Sequence, residues 1–154
     1  MERKIKTIRD LTLVEKELGS ADAGVLSVSL VKERFTQFAT TFVYQSKNIF
    51  IYLDNEELLR SIRLDSLAKF TILKDKNVSR DLIEKKDTLY RLFSIVVTGS
   101  IREAEEQKTI KGIAQSFIEK YSGKLLYSDK DNQPKGKLLF VDSEELLAYD
   151  EIGF

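Results

Sequence analysis

The chain has 154 residues, no Cys and no His, and 25 Lys and Arg residues against 25 Asp and Glu, so its formal net charge is zero. These absences exclude disulfides, thiolate catalysis, Cys-based zinc sites and any Ser-His-Asp triad, and they remove the commonest general base and the usual haem ligand. The balanced charge argues against a nucleic-acid binder, and no apolar run approaches the ~20 residues of a membrane helix.

The opening MERKIKTIRD has charge but no apolar stretch behind it, so it does not read as a signal peptide, and a cytoplasmic location is expected. Apolar residues make up 42% of the chain, enough for one core, and a single domain over residues 1–154 is expected.

Residues 5–18 carry Ile5, Ile8, Leu11, Val14 and Leu18 near helical spacing. Thr12 to Glu15 also fits a capping box, which would start the helix later, and Gly19 is a plausible stop. Gly24 to Val31 reads as a strand, with Leu26, Val28 and Leu30 alternating with small residues.

The stretch RFTQFATTFVYQSKNIFIYLD, residues 34–54, reads as two strands around the polar turn Gln45-Ser46-Lys47-Asn48. Its second strand, Ile49 to Leu53, is apolar on both faces and must be covered on both. Asp54-Asn55-Glu56-Glu57 then starts a short helix, with a capping side chain and two acids in the first turn. Ala68 to Leu73 is a further strand, and 74–87 a charged loop with some local helix.

Thr88 to Arg102 holds a long β-rich run in which Gly99 suggests a bulge or a close backbone approach. Ile110, Ile113, Ala114, Phe117, Ile118 and Tyr121 form one apolar stripe, so 104–121 is a helix, with Gly123 as its stop. Residues 128–136 form a loop with the only Pro. Lys137 to Asp142 is a last strand, followed by a short helical or extended tail.

Short turns between strands favour a mostly antiparallel sheet. About six strands with apolar residues on both faces are most easily satisfied by a small closed barrel. Helices or a second subunit would cover its outside.

Three patterns resemble the pyridoxamine 5'-phosphate oxidase-like family of FMN-binding split barrels. TTFVYQSKNIFIYLD is similar to that family's second and third strands. DNEELLRSIRLDSLAKFTIL is similar to its short helix, link and fourth strand. Val97 to Ala104 is similar to the strand that leads into its last long helix. The resemblance covers roughly residues 5–145.

It implies an α+β chain, mainly β, folded as a six-stranded antiparallel split β-barrel with flanking helices. It further implies a homodimer that holds FMN at the subunit interface and acts as an oxidoreductase on an unidentified small molecule. Matched positions supply candidate cofactor residues: Arg34, Arg60, Ser61 and Lys69 for the phosphate, and Thr40, Thr41 and Phe42 for the isoalloxazine ring. Flavin carries its own redox chemistry, so the lack of His and Cys is no objection.

Ser94 and Thr98 on the long strand, and Tyr44, Tyr52, Tyr90, Tyr121 and Tyr127, are further candidates to line a pocket or stack on a ligand. The sequence departs from the family at Asp54, where a carboxylate followed by Glu56 and Glu57 would repel a phosphate. A non-catalytic binding module without flavin is therefore an alternative. The segment SRDLIEKKDTLYRLFS and the terminal Ile152-Gly153-Phe154 also resemble haem-utilisation split barrels, so haem held by a ligand other than His is another.

Overall fold

A computed structural model describes residues 2–75, 90–122 and 134–153. The stop at Gly123, Tyr127 and most of the two expected loops, 74–87 and 128–136, lie outside these residues.

The N-terminal segment divides where one helix was expected. Arg3–Thr7 is a strand, β1, paired antiparallel with the C-terminal end of the chain from Arg3↔Gly153 to Thr7↔Tyr149. The first helix, α1, spans Leu11–Ser20. Its start is fixed by Asp10, whose side chain accepts a hydrogen bond from the Leu13 amide at 3.3 Å, so the cap lies two residues before Thr12. Val14 and Leu18 form its buried face, whereas Ile5 on β1 is 56% exposed. Helix α1 runs through Gly19 rather than stopping there.

The apparent hairpin of residues 34–53 also divides. After β2, Gly24–Leu30, come β3, Arg34–Thr40, then β4, Val43–Gln45, and β5, Asn48–Leu53. Ser46 and Lys47 form the turn between β4 and β5, both with positive φ, as a two-residue hairpin loop with the right-handed strand twist requires. Strand β3 pairs with β2 instead, through a second turn that holds Lys32 and Glu33 at positive φ.

Asn55 caps the short helix α2, Glu56–Ser61, by accepting from the Leu58 amide at 2.9 Å. Then come β6, Leu67–Asp75, β7, Tyr90–Glu103, helix α3, Gln107–Tyr121, and β8, Lys137–Gly153. Strand β8 continues well past Asp142, so the tail is extended.

All eight described strands belong to one antiparallel sheet, two more than expected, with the order β3-β2-β6-β7-β8-β5-β4 and β1 added beside β8. Strands β3 and β4 are consecutive in the chain yet lie at opposite ends of this order. Only Thr41 and Phe42 separate them. Three residue steps reach at most about 11 Å. The sheet must therefore curl until its two ends almost meet, which makes a barrel with a slit.

The interior is filled by alternate residues of the strands, among them Leu26, Phe70, Ile72, Ile95, Val97 and Ile51. The doubly apolar β5 is satisfied within the chain. Ile49, Ile51 and Leu53 face the interior cluster, while Phe50 and Tyr52 pack with Ile113 and Phe117 of α3 in a second one. Tyr52 meets the Phe117 ring edge-on, centroids 5.0 Å apart at 75°.

Helix α3 also holds the slit. The Tyr121 hydroxyl accepts the Phe42 amide proton at 3.0 Å and lies 2.9 Å and 2.7 Å from the carbonyl oxygens of Phe42 and Asp22. Lys120 Nζ donates to the Phe42 carbonyl at 2.9 Å and sits 3.9 Å from the Phe42 ring centre.

The long β7–β8 ladder shifts register between Thr98 and Gly99. A Cβ at Gly99 would lie 2.0 Å from the Asp142 carbonyl oxygen. The bulge and the close approach, offered as alternatives by the sequence, coincide.

Candidate functional site

The expected phosphate residues gather at one corner, with one exception. The backbone from Ser29 to Val31 runs antiparallel to that from Ser61 to Arg63. The Val31 amide donates to the Ser61 carbonyl at 2.8 Å, and the Arg63 amide donates to the Ser29 carbonyl at 2.9 Å. A bridge joins Leu30 to Ile62, and Arg34 pairs with Leu30 on the other side. Arg34 and Ser61 thus lie within about two strand spacings, roughly 10 Å.

The same geometry adds Lys32 in the β2–β3 turn and Arg63 beyond Ser61. Lys32, Arg34, Arg60 and Arg63 are all exposed, and among the described residues none of the four is in an ion pair. The pairing of Arg34 with Leu30, and of Leu30 with Ile62, places Arg34 on the face of Ile62, and alternation turns Ser61 and Arg63 to the opposite one, so the corner carries basic residues on both faces. Sequence reasoning missed Lys32 and Arg63. Only the bridge between Leu30 and Ile62 brings them beside the others, and no local spacing signals it. The Ser61 hydroxyl is already engaged, donating to the Glu57 carbonyl at 2.8 Å.

Lys69 does not join this corner. It pairs with Ser27 and Thr98 on the exposed outer face, since Ala68, Phe70 and Ile72 on either side point into the core. Thr40 and Thr41 are half-buried at the far end of β3, about 20 Å from Arg34 at the usual strand rise. The Thr40 hydroxyl donates to the Thr41 carbonyl at 3.1 Å. Phe42 is fully buried, its ring 4.6 Å from Phe70, and its amide and carbonyl are held by Tyr121 and Lys120. Its ring is therefore part of the core. Within one chain Arg34, Arg60 and Ser61 come together at the corner, while Lys69, Thr40, Thr41 and Phe42 lie apart from it.

Around Lys69 the outer face of the sheet is apolar and open. Leu73 is 66% exposed, Phe35 76% and Leu67 58%, with Val25 beside them. Ser94 and Thr98 are half-buried on this face of β7, next to Leu73 and Lys69 in the register.

The described candidate tyrosines make contacts within the fold. Tyr121 and Tyr52 pack as described above, and Tyr90 lies against Gly153. The Tyr44 hydroxyl donates to Glu15 Oε2 at 2.9 Å, tying β4 to α1. Burial first, then the hydrogen bond and charge of Glu15, push its ionisation up to about 12. An acid whose folded value is raised above about 10, the unfolded value, stabilises the fold fully below pH ~10 and loses that contribution as pH rises toward 12. Tyr44→Phe will therefore flatten the fall of unfolding stability across this window in urea titrations. An unchanged slope would assign the alkaline loss to other groups.

A cavity of about 870 Å³ opens elsewhere, between the β4–β5 turn, the end of β7 and the first turns of α3. Phe50, Phe140, Ile113 and Leu64 supply its apolar lining. No helix among the described residues is long and apolar enough to cross a membrane.

No family model matches the sequence, and no curated protein does. Solved structures match the fold. A Bacteroides thetaiotaomicron protein named for 5-nitroimidazole antibiotic resistance superposes with a TM-score of 0.71 at 14% identity, over 99% of this chain and 91% of its own. An FAD binding protein from Mycobacterium smegmatis gives 0.66 at 15% identity, over 97% of this chain and 100% of its own. HutZ, the haem storage protein from Vibrio cholerae, gives 0.63 at 12%, over 90% and 94%. The curled antiparallel sheet with its slit, its flanking helices and these superpositions together establish that the chain has the split-barrel fold, which it shares with these proteins.

Proposed function

We propose that two copies of this chain bind a flavin of the FMN class between them and act as an oxidoreductase on a small molecule. The observation that carries this reading is the corner of Lys32, Arg34, Arg60 and Arg63, placed on a fold shared along almost its whole length with an FAD binding protein. The corner would hold the phosphate. Flavin, when bound, supplies the redox step. The chain's part is to bind and orient it.

Two features support a second copy. Thr40 and Thr41 lie too far from the corner to share a ligand with it inside one chain. The outer face around Phe35, Val25, Leu67 and Leu73 also leaves large apolar side chains in water. A stable pairing buries about 1,200–2,000 Å² in total.

Titrating FMN with the protein will quench flavin fluorescence to saturation. The double charge reversal Arg34→Glu/Arg60→Glu will weaken binding at least roughly tenfold, about the loss of one charge-assisted contact. Size-exclusion with scattering will return the mass of two chains. Undiminished fluorescence at micromolar protein removes the flavin, and a one-chain mass removes the pairing.

A second reading is favoured by Asp54, Glu56 and Glu57, three exposed carboxylates at the start of α2. They oppose an anion at that end, as expected of a non-catalytic module that binds a different small molecule. The same titration decides between the two. The fold of the haem storage protein also admits haem, and a haem titration with no Soret shift would set that aside.

A further inference from the structure

The cavity beneath the first turns of α3 has a chemistry opposite to that of the basic corner. Its floor is aromatic. The Phe50 and Phe140 rings stack with centroids 5.4 Å apart at 29°, Phe50 buried and Phe140 half-buried, with Ile113 and Leu64 beside them. A volume of about 870 Å³ lies within the range of small-molecule sites.

Its rim is acidic. Among the described residues, Asp65, Glu103, Glu105 and Glu106 line it against Arg102 and Lys108. Arg102 is already shared between Asp65 at 3.7 Å and Asp142 at 3.6 Å. Glu103 pairs with Lys137 at 3.6 Å, and among the described residues Glu106 accepts only a long bond from the Thr109 hydroxyl at 3.4 Å. Glu105 has no ion pair among the described residues. The surplus of carboxylates excludes a phosphate from this rim by like-charge repulsion. It favours a positive ligand, and a ring face below attracts a cation further.

We propose that this cavity takes a small planar organic cation, its ring against Phe140 and its charge among Glu105, Glu106 and Asp65. The site is separate from the flavin reading and stands without it. Asn48 and Thr109 also line the cavity, the Asn48 Oδ1 already accepting from the Ser143 amide at 3.1 Å, while the Gln45 side chain is held by Ser116 at 2.7 Å.

The test uses the full chain and two fluorescent probes of similar shape and opposite charge, proflavine as the cation and anthracene-9-carboxylate as the anion. Proflavine polarisation will rise to a one-to-one plateau, and the carboxylate will bind at least roughly tenfold more weakly. Glu105→Lys/Glu106→Lys changes only exposed side chains and will weaken proflavine about fivefold or more, in line with the loss of two nearby charges. Phe140→Ala will weaken it by a similar factor. Arg34→Glu, outside the cavity, will leave it unchanged. Equal binding of both probes, or proflavine binding indifferent to the Glu105/Glu106 reversal, overturns the proposal even if Phe140→Ala proves unstable.

Discussion

Phe42→Ala will lower the free energy of unfolding by about 3–5 kcal/mol, the range for emptying a fully buried Phe site. Phe42 has no exposed surface, its ring lies 4.6 Å from that of Phe70, and Lys120 Nζ sits over it at 3.9 Å. The surroundings cannot collapse into the space easily. On one side is the packed barrel interior. On the other the Phe42 backbone is pinned by Tyr121 and Lys120. A urea melt will show the loss as an earlier midpoint with little change in slope. A loss below about 1 kcal/mol would mean that the ring packs loosely and that the link between β3 and β4 is held by its backbone contacts alone.

Gly99→Ala will cost about 3 kcal/mol, at the upper end of the usual overpacking range. The added methyl would meet the Asp142 carbonyl oxygen at 2.0 Å, its carbonyl carbon at 2.7 Å and the Ser143 Cα at 3.1 Å. All three are backbone atoms of β8, so no side chain can rotate away. Relief requires the bulge to open and β7 to part from β8, the pair with the most extensive ladder in the sheet. Hydrogen exchange will locate the damage in the amides around Thr98 to Ile101 and Val141 to Glu144. Protection there equal to the parent chain's would show that the bulge has room to flex.

The same two positions mark what the sequence does and does not reveal. Gly99 was legible because a glycine weakens an apolar β run unless the missing side chain makes room for a kink or a neighbouring backbone. The two-sided burial of Ile49 to Leu53 was legible because five apolar residues in a row leave neither face of a strand polar. The short helix after it was legible from its capping residues, although Asn55 rather than Asp54 provides the cap. The break at Thr41 and Phe42 was not. Alternation runs unbroken through both residues, and what sends β3 to one end of the sheet and β4 to the other includes contacts from Tyr121, 79 positions away. The N-terminal error has another cause. Ile5, Ile8 and Leu11 fit a helical stripe by spacing, but Ile5 sits in a strand that pairs with residues near the other end of the chain.

At the candidate site, Arg34, Arg60 and Ser61 could be chosen by type and position, whereas Lys32 and Arg63 become neighbours only through the bridge between Leu30 and Ile62. The face on which Lys69 lies could not be read, because strand parity depends on knowing which neighbours enter the core. The cavity under α3 could not be read at all, since its walls come from β4, β5, β7, β8, α3 and the link after α2.

The seam of the barrel is stitched by Phe42 to the foot of α3, and the head of that same rod, about 22 Å away, roofs the aromatic chamber. Widening the seam means unseating Phe42 from Tyr121. Seam and chamber thus rest on opposite ends of one helix.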